Sequence, residues 1–308
     1  ELNSTADNNT AVGKDALTAN TTGTGNTAIG SLSLDGNTTA SYNTAIGNEA
    51  MGNNVDGSRN TAVGYAALFT MDPDSATDTH NTAVGFESLK LNTTGTQNTA
   101  LGSGALDANT TASSGTAVGY NSLGANTTGV ANVGLGQNSL ASNTTASDNT
   151  ALGSHSLDTN TTGASNTGVG RNALRANTTA SNNTAVGKDS LLANTTGTQN
   201  TSVGGSSLDA NTTGNYNTAV GFGSLSANTT ASESTAVGAG ALQANTTGAN
   251  NTAVGRLALG ANTTGVQQVA FGSEALDANT EGNYNAAFGH GALGSNTTAS
   301  NNTGIGTY

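Results

Sequence analysis

The side chains that could carry chemistry are few and scattered. The chain of 308 residues has three histidines (His80, His155 and His290), no cysteine, nineteen acidic residues and seven basic ones. Acid–base or nucleophilic catalysis needs groups paired at a defined separation. Here the histidines fall at unrelated positions and no carboxylate pair recurs. We therefore expect no catalytic residue and no enzyme. Phrases such as "GVG" and "GIG" lack the strand–helix context of a nucleotide loop, so no cofactor is expected either. The densest cluster is "MDPDSATDTH", which gathers Asp72, Asp74, Asp78 and His80. Carboxylates at such spacing suit Ca2+, but the glycine and terminal glutamate of an EF-hand loop are missing. An exposed acidic turn without a metal is the expectation. The aspartates that follow a leucine (Asp35, Asp107, Asp158, Asp209, Asp277) are too intermittent for a ladder of metal sites.

Three other patterns point to binding or modification. "NTT" recurs fourteen times, each an Asn-x-Thr acceptor for a glycan. The candidate attachment residues are Asn20, Asn37, Asn92, Asn109, Asn126, Asn143, Asn160, Asn177, Asn194, Asn211, Asn228, Asn245, Asn262 and Asn296. The competing reading is that Asn and Thr simply build a turn, through side-chain to backbone bonds. Tyr65, Phe86, Tyr120 and Phe222 follow the same glycine in different copies and offer rings on which a sugar could stack. Ladders of Thr on a β-solenoid can order water, which raises ice binding. In "NTAVG", however, Thr shares a face with an apolar residue read as inward, so that Thr column is expected to be buried.

These residues sit in a strict repeat. Taking one Gly per copy as anchor (Gly13, Gly30, Gly47, Gly64, Gly85, Gly102 and onward to Gly306), the interval is seventeen residues except for one of twenty-one. The exception is a four-residue insertion near 69–80. The residue before the anchor is always apolar, as in Val12, Ile29, Leu101 and Phe271. Two before it stands only Ala, Gly or Ser, and three after it only Ala or Ser. Leu follows at the fourth place and Asn at the seventh, as in Leu17 and Asn20, with Met51 and the inserted copy as exceptions. Period-two alternation in "NTAVG" suggests a short strand with Val facing inward. "ALxA" is too short for a stable helix, and we read it as a second strand or extended limb. Small-residue columns require another backbone to pass close by. Self-similarity at this period signals stacking. The fold class is therefore all-β: a β-solenoid, or parallel β-roll, of about eighteen 17-residue rungs. Residues 1–308 form a single repeat array with no capping domain, each rung carrying two strands and two turns.

The phrase "NTAVG" followed by "xx[AS]", carried by Ala11, Val12, Gly13, Ala16 and Ala19 and their equivalents, resembles the head repeats of trimeric autotransporter adhesins. The longer phrase "NTAVGxxALxxNTTG" is similar to repeat regions of phage tail-fibre-like proteins. Both resemblances imply parallel β-rolls gathered three chains to a fibre.

Composition narrows the partners. A net charge of −12 with scattered basic residues argues against nucleic acid. No apolar run is long enough to enter a membrane as a spanning helix. One Val and one Leu per rung make a thin core, so the expected partner is the chain itself, as a lateral trimer, by end-to-end stacking, or both. The expected function is a structural one, a rigid shaft in an extracellular fibre or filament on a cell or virion surface. The alternatives are an adhesin or tail-fibre module that binds surface glycans and, third, an ice-binding protein.

Overall fold

In a computed structural model that describes residues 6–73 and 75–307, the chain is an all-β parallel β-solenoid. It divides into two compact units, Glu1–Ser154 and His155–Tyr308, both built from the same repeat. In the first unit nine three-residue strands, from Thr10–Val12 to Thr150–Leu152, recur once per turn. Adjacent strands pair in parallel, each residue opposite its equivalent in the next turn: Thr10 with Thr27, Ala11 with Ala28, Val12 with Ile29. The second unit repeats this with nine strands from Thr167–Val169 to Thr303–Ile305. The insertion leaves the ladder intact, since Thr61 still pairs with Thr82. Its surplus forms an extra parallel pair, Gly57–Ser58 with Thr77–Asp78, beside an Arg59–Asp78 ion pair of 2.8 Å.

The strand alternates as expected but in the opposite phase. Ala28, Ala45, Ala185 and Ala236 are fully buried, whereas Val12 is 58% exposed and Leu101 48%. The interior takes the small residue because the strand lies directly against the turn layer, and a Cβ is all the space allows. At position 134, where Gly replaces Ala, an added Cβ would already lie 2.5 Å from Ser122 Oγ. The apolar residue is left outside, and the Thr column comes out with it, half-exposed in most turns. The expectations of an inward Val and a buried Thr are thus both corrected.

The second strand is absent as well. Residues 14–19 and their equivalents are stacked turns, not an extended limb. Leu17, Leu34, Leu191 and Leu208 have φ between 50° and 55°, the left-handed region that β-carbons disfavour. Two things hold them there. The Leu side chain is sealed in the core in the inner turns, as with Leu34, Leu191 and Leu208 at 0% exposure, while Leu17 in the first described turn is half-exposed. Each Leu N–H donates to the next turn, Leu17 to Ser33 O at 3.0 Å and Leu191 to Ser207 O at 3.0 Å. The turns thereby hydrogen-bond to one another on every side, which satisfies a backbone that a single short strand could not.

Two columns of buried asparagine complete the interior. In the first, the side-chain amide donates to the carbonyl oxygen of the Asn one turn before wherever that turn carries Asn, as Asn37 Nδ2 to Asn20 Oδ1 at 2.9 Å and Asn211 to Asn194 at 2.8 Å. The same nitrogen also bonds its own turn, as Asn37 does to Ala40 O at 3.1 Å. In the second, the backbone joins in: Asn26 N donates to Asn9 Oδ1 at 2.8 Å and Asn183 N to Asn166 Oδ1 at 3.0 Å. The anchor glycine lets successive turns close up. Gly187, at φ +136°, would place a Cβ 2.5 Å from Gly204 O.

Candidate interaction face

The phase of the strand creates the most regular surface in each unit. Two outward columns run up the ladder, one of Thr and one of Val, Ile, Leu or Phe. In the second unit the pairs from Thr167/Val169 to Thr252/Val254 are the same six times over. None of the described residues in these columns is charged. With turns about 4.8 Å apart and three residues across, the face covers roughly 400 Å² in each unit. The apolar column supplies about half of it, within the range of the largest apolar patch on a monomer, which is often functional.

Apart from Asp78 in the short Thr77–Asp78 strand, the charged side chains among the described residues lie off the strands. Lys90 Nζ meets Glu87 Oε1 at 2.6 Å, His155 Nδ1 meets Asp158 Oδ2 at 2.9 Å, and Arg256 pairs with Glu274. Such exposed pairs contribute little to stability. The aspartates that follow Leu lie half-buried beside the core. Burial pushes the carboxyls of Asp35, Asp107 and Asp209 above their ordinary value. Asp189 goes the other way, held low chiefly by the amide of Asn172, which donates to its Oδ1 at 2.8 Å.

The structure gives the glycan-attachment candidates a different place, in the core. Thirteen of the fourteen candidates, from Asn20 to Asn262, are buried members of the first asparagine column. A glycan there would take the nitrogen that holds the turns together. Asn296, in a terminal turn and half-exposed, uses its amide in the same way, donating to Asn279 Oδ1 at 3.0 Å. "NTT" is a turn sequence because its Asn is a core residue. The first Thr also serves the stack, as Thr195 Oγ1 donates to Thr212 O at 3.0 Å, while the second is exposed.

The aromatic candidates are exposed, as a sugar platform requires, but not gathered. Tyr65 and Phe86 stack with centroids 5.3 Å apart, while Tyr120 stands elsewhere in the same unit. Phe222 lines an open hollow of about 220 Å³ together with Ala239, Gly240 and Leu257. In the insertion, Asp72, Asp78 and His80 are exposed, and Asp74 lies outside the described residues. Among the described residues no group of three metal-ligating side chains forms, and no helix is long and apolar enough to cross a membrane.

The chain matches no protein-family model and no curated protein. The interaction face must therefore be read from its own chemistry. Sequence reasoning missed it by taking apolarity as the sign of the interior. The better sign was size: the Ala/Gly/Ser column tolerates no bulk, whereas its neighbour accepts anything from Val to Phe.

Proposed function

We propose that the chain is a structural shaft segment of an extracellular fibre, held side by side with further copies of itself through the Thr/Val ladder. One observation carries this reading: an uncharged, regularly spaced face of Thr and larger apolar residues left exposed or half-exposed along the ladder. An exposed apolar ladder of this extent favours covering by a like surface, because two such faces bury apolar area without stranding a charge. The resemblance to trimeric fibre repeats agrees in favouring three chains. Outward variability at the turns, where Lys14, Asp15 and Phe86 occupy equivalent or adjacent places, suits a shaft whose solvent side is under little constraint.

The test is assembly in solution. Light scattering on the purified protein gives a mass near three times 29.9 kDa, and the double variant Val203→Lys/Val220→Lys gives a folded monomer. A wild-type monomer at micromolar concentration removes the reading. A second reading, ice binding, gains from the half-exposed Thr column beside the apolar one. A monomer that shows thermal hysteresis, lost on replacing Thr201 and Thr218 by Lys, establishes that reading instead.

A further inference from the structure

The face described above has a weakness as a docking surface. Six successive turns of the second unit present Thr and Val in the same two places. A copy displaced along the ladder by one turn meets the same side chains, so these rungs bring copies together without fixing their height. Uniform strand faces specify register weakly.

The next two turns depart from the pattern. Val269 and Phe271 occupy one, Ala286 and Phe288 the next, before Thr303 and Ile305 restore a Thr–aliphatic pair. Phe271 and Phe288 lie face to face, centroids 5.7 Å apart and planes 5° from parallel, each about two-fifths exposed. They make a ridge two turns long in the apolar column. Beside it, Ala286 leaves a notch in the Thr column where every other turn of this unit carries a larger side chain. Nothing in the solenoid requires this. The interior residues of the same strands, Ala270 and Ala287, are the usual ones and fully buried, and Val serves the outer place in the preceding six turns.

Resting on the reading that copies pack through this face, we infer that Phe271 and Phe288 set the axial register, so that parallel copies lie at the same height. In register, ridge meets ridge, rings contact rings, and the Ala286 notches give them room. Displaced by one turn, one ring of the pair falls on Val254 or Ile305 of the other copy, and half of the aromatic contact is exchanged for a smaller side chain. Ring–ring contacts are worth more than the area they bury. A local departure in a repetitive interface is also the established way to fix register in coiled coils.

The chain contains no cysteine, so introduced thiols are unambiguous. Cysteine is placed in one outward column at 218 or 235, and in the other at 220 or 237. Each pair is co-expressed with distinguishable tags and oxidised, and same-position links are compared with links one turn apart. On the native face the same-position link dominates by at least tenfold. In Phe271→Val/Phe288→Val, which installs the commonest residue of that column, the two kinds approach equal yield while light scattering still reports the oligomer. An oligomer whose link ratio does not change overturns the register assignment and leaves the assembly standing. An oligomer with no link in either column, or a monomer throughout, sinks both.

Discussion

At the scale of single residues, the asparagine column shows what each member contributes through the one place it is broken. The inserted turn carries Met71 where its neighbours carry Asn, and Met71 is fully buried. Its sulfur accepts from Asn92 Nδ2 at 3.1 Å, so the turn after it is served. The turn before it is not: Asn54 Oδ1 is buried with no hydrogen-bond partner, because a thioether has no proton to give. Met71→Asn should restore the missing bond and raise stability by about 1 kcal/mol, seen as a higher urea midpoint with unchanged slope. Asp209 makes a second test. Its Oδ1 is buried without a partner and burial raises its carboxyl above 3.8. The folded chain therefore holds that proton more tightly than the unfolded chain does. The charge costs stability at neutral pH, and the cost fades as pH falls through the raised value toward 3.8. Asp209→Asn should raise the urea midpoint at neutral pH, with the gain shrinking in mild acid; a gain that grows in acid contradicts the assignment. Intact mass of protein secreted from a glycosylating host should equal the sequence mass of 29.9 kDa as far as the thirteen buried asparagines are concerned.

At the scale of the element, the turn tells two kinds of glycine apart. Gly221 has φ +131°, and an added Cβ would lie 2.6 Å from the carbonyl of Gly238. Gly223, two residues on, has φ +64° with nothing within 4 Å of the same atom. In other turns that second place holds Asp15, Asn172 or Asp189 at φ 56° to 58°. Gly221→Ala should therefore cost ~2 kcal/mol or more, while Gly223→Asn stays within about 0.5 kcal/mol, both read from urea unfolding. The same comparison explains what was legible beforehand. Stacking, the period and the closeness of backbones at Gly13 followed from which columns refuse bulk, whereas the Ala column is closed by side chains, as Ser122 and Leu123 stand against position 134. The phase of "TAV" did not, because alternation gives two faces without saying which is inside. The left-handed Leu was hidden too: Leu17 alone carries no signal for positive φ, and only contacts with the neighbouring turns stabilise it there. The core place of the "NTT" asparagines was hidden as well, because a buried Asn ladder and an exposed acceptor are spelled alike.

At the scale of the whole molecule, each unit is a one-dimensional stack in which every strand-to-strand contact joins neighbours on the ladder. Stability then approximates a sum over turns and their interfaces. Removing residues 184–200 takes out one complete repeat and joins equivalent positions, so the second unit should keep its circular dichroism and nearly its thermal midpoint. Removing residues 184–191 instead brings unlike columns together and should unfold it. Because equivalent positions recur every seventeen residues, an in-frame gain or loss of seventeen codons adds or deletes one whole turn. Reach can thus be selected in fixed steps, by copy number alone, with no new core to be invented at any step.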